Sequence, residues 1–100
     1  MAYRIEFTRE AGKHFALLDA RRRATLRGAL LRQLADEPAV ETRNRKRLRP
    51  IALATWRLRV GELRVYYDVV EDGAPLVVIK AIGIKVRNRV VIGGEEIDLS

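Results

Sequence analysis

Between Trp56 and Val70 apolar and polar side chains alternate almost without a break. Trp56, Leu58, Val60, Leu63, Val65, Tyr67 and Val69 fall on one side, and Arg57, Arg59, Arg64, Tyr66 and Asp68 on the other. A period of two belongs to a β-strand, whose successive side chains point to opposite faces. Gly61-Glu62 interrupts the run at the two-residue spacing of a tight hairpin, so the pattern predicts two antiparallel strands, about 56–60 and 63–70. One face of that pair must be buried, which leaves three guanidinium groups and a phenol together on the other.

The remaining elements are read around this pair. Asp72-Gly73 marks a further turn, closed by Pro75, before Leu76-Val77-Val78-Ile79-Lys80-Ala81-Ile82, a run apolar at nearly every position and so expected as a central strand covered on both faces. At the other end, Tyr3, Ile5 and Phe7 alternate with Arg4, Glu6 and Thr8, which predicts a strand over about 2–7. Thr8 is a good N-cap for a helix over about 9–18 that stacks Ala11, Phe15 and Leu18 on one face. Asp19 is a second cap, followed by Leu26, Ala29, Leu30 and Leu34 at helical spacing with Arg21, Arg22, Arg23, Arg27 and Arg32 around the other side. Pro38 disfavours helical geometry at Glu37, so this second helix should stop by about 36. Residues 41–54 show neither period and hold the cationic run 43–50, read as an exposed loop; Val90–Gly94 suggests a short strand and a turn, and the tail from Glu95 to Ser100 is acidic. The expected fold is α+β: an N-terminal strand, an antiparallel helical hairpin, then an antiparallel meander of about three strands, with the helices on one face of a single sheet and the other face left for function.

At 100 residues and 48% hydrophobic content, residues 1–100 suit one domain with one core. The balance of 20 Lys plus Arg against 13 Asp plus Glu, net +7, makes a polyanion the first partner to consider, since arginine binds phosphate through a planar fork. Charge runs and arginine-bearing strands also serve solubility alone, so the charge speaks to partners and not to fold. The absence of cysteine removes disulfides, thiolate metal sites and a cysteine nucleophile, and fits a reducing cytoplasm. No segment approaches the roughly 20 apolar residues of a membrane span, so a soluble chain without a membrane partner is expected. There is no HExxH, P-loop, dinucleotide-binding glycine fingerprint or serine nucleophile elbow. His14 is the single histidine and sits at the edge of the first helix's apolar face, a packing or surface position rather than a base. With carboxylates scattered, neither a metal site nor a cofactor is expected.

Taken together, Lys46-Arg47-Leu48-Arg49 and then Trp56-Arg57-Leu58-Arg59-Val60-Gly61-Glu62-Leu63-Arg64-Val65-Tyr66-Tyr67 resemble the core signature of RelE/ParE-type toxins of bacterial type II toxin–antitoxin systems. The order of elements is similar over most of residues 2–84. The resemblance implies a toxin with a cognate antitoxin protein as partner. Its RelE branch cleaves mRNA on the ribosome without metal, the ribose 2′-hydroxyl attacking the adjacent phosphate. On that scheme Arg64 corresponds to the arginine at the scissile phosphate, Arg57 and Arg59 to basic residues of the preceding strand, and Tyr66 is the phenol available to stack on a base or exchange a proton. The basic stretches Arg45, Lys46, Arg47 and Arg49, and Lys85, Arg87 and Arg89, would contact RNA. RelE-like chains carry a tyrosine or histidine after the last long strand; here Gly83–Ile92 has neither, and arginine is a poor general base at neutral pH. The ParE branch, which inhibits DNA gyrase without hydrolysis, and a non-toxic antitoxin-binding homologue are the alternatives.

Overall fold

The two strands read from the alternation form as expected, and the sheet extends well beyond them. The computed structural model describes residues 2–49 and 53–97. In chain order the elements are β1 (Arg4–Phe7), α1 (Arg9–Ala16), α2 (Ala20–Leu34), β2 (Arg45–Arg47), β3 (Trp56–Val60), β4 (Leu63–Val70), β5 (Leu76–Val86), β6 (Arg89–Ile92) and β7 (Glu95–Ile97). Pro50, which ends the basic run, and Asp98, Leu99 and Ser100 of the acidic tail lie outside the described residues.

The expected three-strand meander with helices on one face is corrected. Seven strands form one sheet in the order β2-β3-β4-β5-β6-β7, and β1 pairs with β5 off that path. β1 runs parallel to residues 76–79 of β5, while β6 runs antiparallel to residues 83–86 on the same edge. Two physical causes lie behind the difference. The edge of β3 offers backbone partners to Arg45–Arg47, so a tripeptide with no apolar residue still becomes a strand. Gly93 and Gly94, at φ of +60° and +83°, make the left-handed turn that folds β7 back on β6.

Both helices start at the caps the sequence names. Thr8 Oγ1 accepts from the Ala11 amide at 3.1 Å and Asp19 Oδ1 from the Arg22 amide at 2.8 Å. Ala11, Leu18, Leu26, Leu30 and Leu34 pack with Trp56, Leu58, Leu63, Val65, Tyr67, Val77, Ile79 and Ile82 in the main core. Tyr67 is fully buried there, stacked with Trp56 at 6.3 Å between ring centroids, and its hydroxyl donates to the Pro38 carbonyl at 2.7 Å. Between the stretches of β5 taken by β1 and β6, the first helix fills the gap. The Ile82 amide donates to His14 Nδ1 at 3.2 Å, and Thr8 Oγ1 donates to the Lys80 carbonyl at 3.4 Å. His14 is thus half-buried packing, as expected.

The sheet's second face carries its own apolar cluster of Ala54, Tyr66, Ala81 and Ile92, with Leu48 and Val90 against it. A face expected to be left free is therefore partly covered.

Candidate nucleic-acid interface

The β3–β4 register sets the geometry. Arg57 lies opposite Tyr66 and Arg59 opposite Arg64, so these four side chains form a block on the face away from α1 and α2. On the flanks, Lys46 of β2 stands opposite Arg57, while Ala81 and Gly83 of β5 stand opposite Tyr66 and Arg64. Lys85, two residues beyond Gly83, extends the same face and is exposed. Like charges placed directly opposite repel, and Arg59 against Arg64 is such a pair.

Among the described residues no carboxylate forms an ion pair with Arg57, Arg59, Arg64, Lys46 or Lys85. The ion pairs lie elsewhere: Arg4–Glu6, Lys13–Glu10, Arg22 with Asp19 and Glu62, Lys80–Asp68 and Arg89–Glu96. Asp68, placed on this face by the alternation, accepts from the Thr55 amide at 2.8 Å and faces Lys80 at 3.9 Å.

Arg64 is 7% exposed and donates from Nη1 to the carbonyls of Gly61 at 2.7 Å and Leu63 at 2.9 Å. Burial lowers the affinity of its guanidinium for a proton below the ordinary arginine value, and the neighbouring Arg57 and Arg59 charges lower it further. Arg57 Nε is buried with no hydrogen-bond partner among the described residues. A buried donor without an acceptor is costly, and a phosphate oxygen would supply one while relieving the repulsion among the three cations.

Tyr66 shares the face but is only 2% exposed. Its ring lies among Ala54, Ala81, Ile92, Leu48 and Val90, so stacking on a base is closed to it in this conformation. Burial pushes its phenol above the ordinary tyrosine value, and Arg57 and Arg64 offset only part of that rise.

The remaining basic positions separate into different roles. Arg45 is nine-tenths buried on the helix side, where Nε donates to the Val40 carbonyl at 2.9 Å and Nη1 to the Gln33 carbonyl at 2.5 Å. Arg47, opposite Trp56, and Arg49 are exposed at the sheet edge and beyond it. Arg87 sits in the β5–β6 turn at a φ of 58°, exposed, and Arg89 is bound to Glu96 at 2.9 Å. Register therefore brings Lys46 and Lys85 to the arginine block and turns Arg45 away from it. The covering cluster over Tyr66 was missed because Leu48, Ala54, Val90 and Ile92 come from segments with no clear period.

No protein-family model matches the chain, and no curated protein does either. Among solved structures, a chain of the toxin–antitoxin complex RelBE2 from Mycobacterium tuberculosis is 27% identical, with a TM-score of 0.68, over 85% of this chain and 100% of that one. The chain resembles RelE-type toxins in fold as well as in its sequence signature. The stretch that carries the toxin-like sequence signature, Trp56 to Tyr67, forms β3, the Gly61-Glu62 turn and the first half of β4. In this RelE-like chain the arginines of that signature are cations of the second sheet face with no carboxylate partner among the described residues. No helix among the described residues is long and apolar enough to cross a membrane.

Proposed function

We propose that the chain acts as the toxin of a type II toxin–antitoxin pair, a single cytoplasmic domain that cuts mRNA on the ribosome and is held by a cognate antitoxin protein. The observation that carries this reading is the block of Arg57, Arg59 and Arg64, mutually repelling and without a carboxylate partner among the described residues. In the reaction the 2′-oxygen bonds to the adjacent phosphorus and the P–O5′ bond breaks, leaving a 2′,3′-cyclic phosphate and a 5′-hydroxyl end. Negative charge builds on the non-bridging oxygens between these events. Fixed guanidinium donors at that place stabilise the transition state more than the ground state. Lys46 and Lys85 then follow the RNA backbone on either side, with Arg47, Arg49 and Arg87 at the margin. An acidic or amphipathic antitoxin segment complements the net +7 of the chain.

A second reading has an observation of its own. The buried Tyr66 phenol is a poor proton acceptor, and the stretch after β5 offers neither tyrosine nor histidine, which favours inhibition of DNA gyrase without hydrolysis.

Ribosome-dependent cleavage of a reporter mRNA tests the first reading. Wild type should cut, and Arg57→Ala and Arg64→Ala should each lower the rate by about 10²-fold, the usual loss on removing one transition-state donor. Equal cutting by wild type and both variants refutes the role of the arginines. No cutting at all, with gyrase-linked DNA breaks on induction, establishes the second reading instead.

A further inference from the structure

Among the described residues Arg64 meets no carboxylate. Its Nη1 folds back onto the hairpin that precedes it, held by the carbonyls of Gly61 and Leu63 at 2.7 and 2.9 Å. The direction of its guanidinium is therefore set by where that turn sits. Gly61 adopts a φ of +57° and both turn residues are exposed, and a two-residue tip of this kind is ordinarily among the most mobile parts of a sheet.

Here the tip is fastened from two directions. The Glu62 carboxylate takes Arg22 of α2 through Nε at 2.8 Å and Nη2 at 2.7 Å, both on Oε1. Arg22 is itself steadied by Asp19, the cap of α2, whose Oδ2 lies 3.1 Å from Nη1. On the sheet side the Glu62 carbonyl accepts from the Lys85 amide of β5 at 2.7 Å. A cleft of about 430 Å³ lined by Asp19, Arg22, Thr25, Val60 and Glu62 opens beside this bridge, so water and salt reach it. Among the arginines of α2 that helical spacing sets away from its apolar face, Arg22 is joined to the hairpin that aims Arg64.

We propose that Arg22 and Glu62 are positioning residues: their ion pair locks the β3–β4 turn to the start of α2 and so fixes the Arg64 guanidinium on the sheet face. The inference rests on the reading of that face as the place where RNA phosphate is held, which gives the fixed direction its use, because displacements well under 1 Å, about 0.5 Å, already degrade such a constellation. Neither residue touches the substrate. Both act through the turn carbonyls, and the pair weakens as salt screens it.

The test uses the full chain, isotopically labelled, with the Arg64 Nη1–H resonance, the group held by the turn carbonyls, assigned by its loss in Arg64→Lys. Slow hydrogen exchange at that group in wild type should quicken in Arg22→Gln and in Glu62→Gln, and the exchanged pair Arg22→Glu with Glu62→Arg should slow it again. Unfolding midpoints read alongside show whether a variant has lost its fold; the exchanged pair keeps the test decisive if one single variant has. Affinity for a short unstructured RNA should fall about two- to five-fold in each single variant, the range expected of a partly exposed ion pair, and should not fall further when Arg64→Ala is already present. Unchanged exchange at Arg64 in both single variants overturns the proposal, as does an RNA loss that persists undiminished in the Arg64→Ala background. Quickened exchange with RNA affinity insensitive to every variant, Arg64→Ala included, supports the positioning role and refutes the RNA-binding reading of the face.

Discussion

Replacing Arg45 by alanine should cost the protein stability and leave its nucleic-acid affinity almost untouched, the reverse of what a residue in a cationic run suggests. Its side chain is nine-tenths buried, and Nε and Nη1 donate to the carbonyls of Val40 and Gln33 at 2.9 and 2.5 Å. Hydrogen bonds from a charged donor contribute about 1.5–3 kcal/mol each, so two give roughly 3–6 kcal/mol gross. Desolvating a guanidinium that has no carboxylate partner among the described residues takes back part of this, which leaves about 2–4 kcal/mol net. Removal also strands two carbonyls, one in the last turn of α2 and one in the loop after it, through which Arg45 holds the end of α2 to β2. Urea unfolding followed by Trp56 fluorescence measures the loss, and an unchanged slope confirms that the transition remains two-state. Lys46→Ala, one residue along on the opposite face, is the matched control: stability within about 0.5 kcal/mol of wild type, as for most surface changes, but weaker RNA binding with a shallower salt dependence. Arg45→Ala unfolding within about 0.5 kcal/mol of wild type would refute the reasoning, because two buried charged-donor bonds cannot vanish at that cost.

Alkaline stability follows from the tyrosines. Tyr66 and Tyr67 are raised from the ordinary value of 10.0 chiefly by burial, and Tyr3 chiefly by its hydrogen bond to Glu71. Phenols raised in the folded state contribute stability that is whole below about pH 10 and is lost above it, where the unfolded chain releases its protons first. Tyr67→Phe should cost about 1–2 kcal/mol at neutral pH by leaving the Pro38 carbonyl unpaired, and should flatten the fall above pH 10; an identical slope in wild type and variant would contradict this. Gly83→Ala should overpack the second face, since a Cβ there would lie 2.6 Å from Val90 Cγ1 and 2.8 Å from Ile92 Cγ1. A loss of about 1–3 kcal/mol with faster amide exchange over 89–97 is expected, reduced when Val90→Ala is added, and additivity of the two changes would count against the contact.

The legible parts of the fold were those in which side-chain period and backbone role agree. Trp56–Val70 shows its two strands and turn because each side chain's polarity matches the face it occupies, and Thr8 and Asp19 announce helix starts through chemistry confined to a single turn. β2 was hidden because Arg45, buried on acceptors contributed by α2 and the following loop, looks in sequence like its exposed neighbours Lys46 and Arg47. The arginine block was legible for the same reason as the strands. The burial of Tyr66 was not: alternation assigns a face, whereas exposure depends on what arrives over it, here Leu48 and Ile92 from opposite sides in sequence. The Arg22–Glu62 tie spans 40 residues, and nothing local distinguishes Arg22 from Arg21 or Arg23.

The position of β5 bears on how the protein is made. Residues 76–79 are the partners of β1, and Thr8 reaches across 72 positions to Lys80, so β1 waits for its described partner until β5 has been synthesised. Closing so long a loop costs entropy before any contact returns it, and sheets built this way fold slowly. Arg57, Arg59 and Arg64 emerge from the ribosome earlier, but Gly83 and Ala81, which flank them, come with β5. A growing chain can therefore carry all three arginines into solution without yet possessing the surface they form, and a truncation anywhere before β5 should yield an unfolded, inert product.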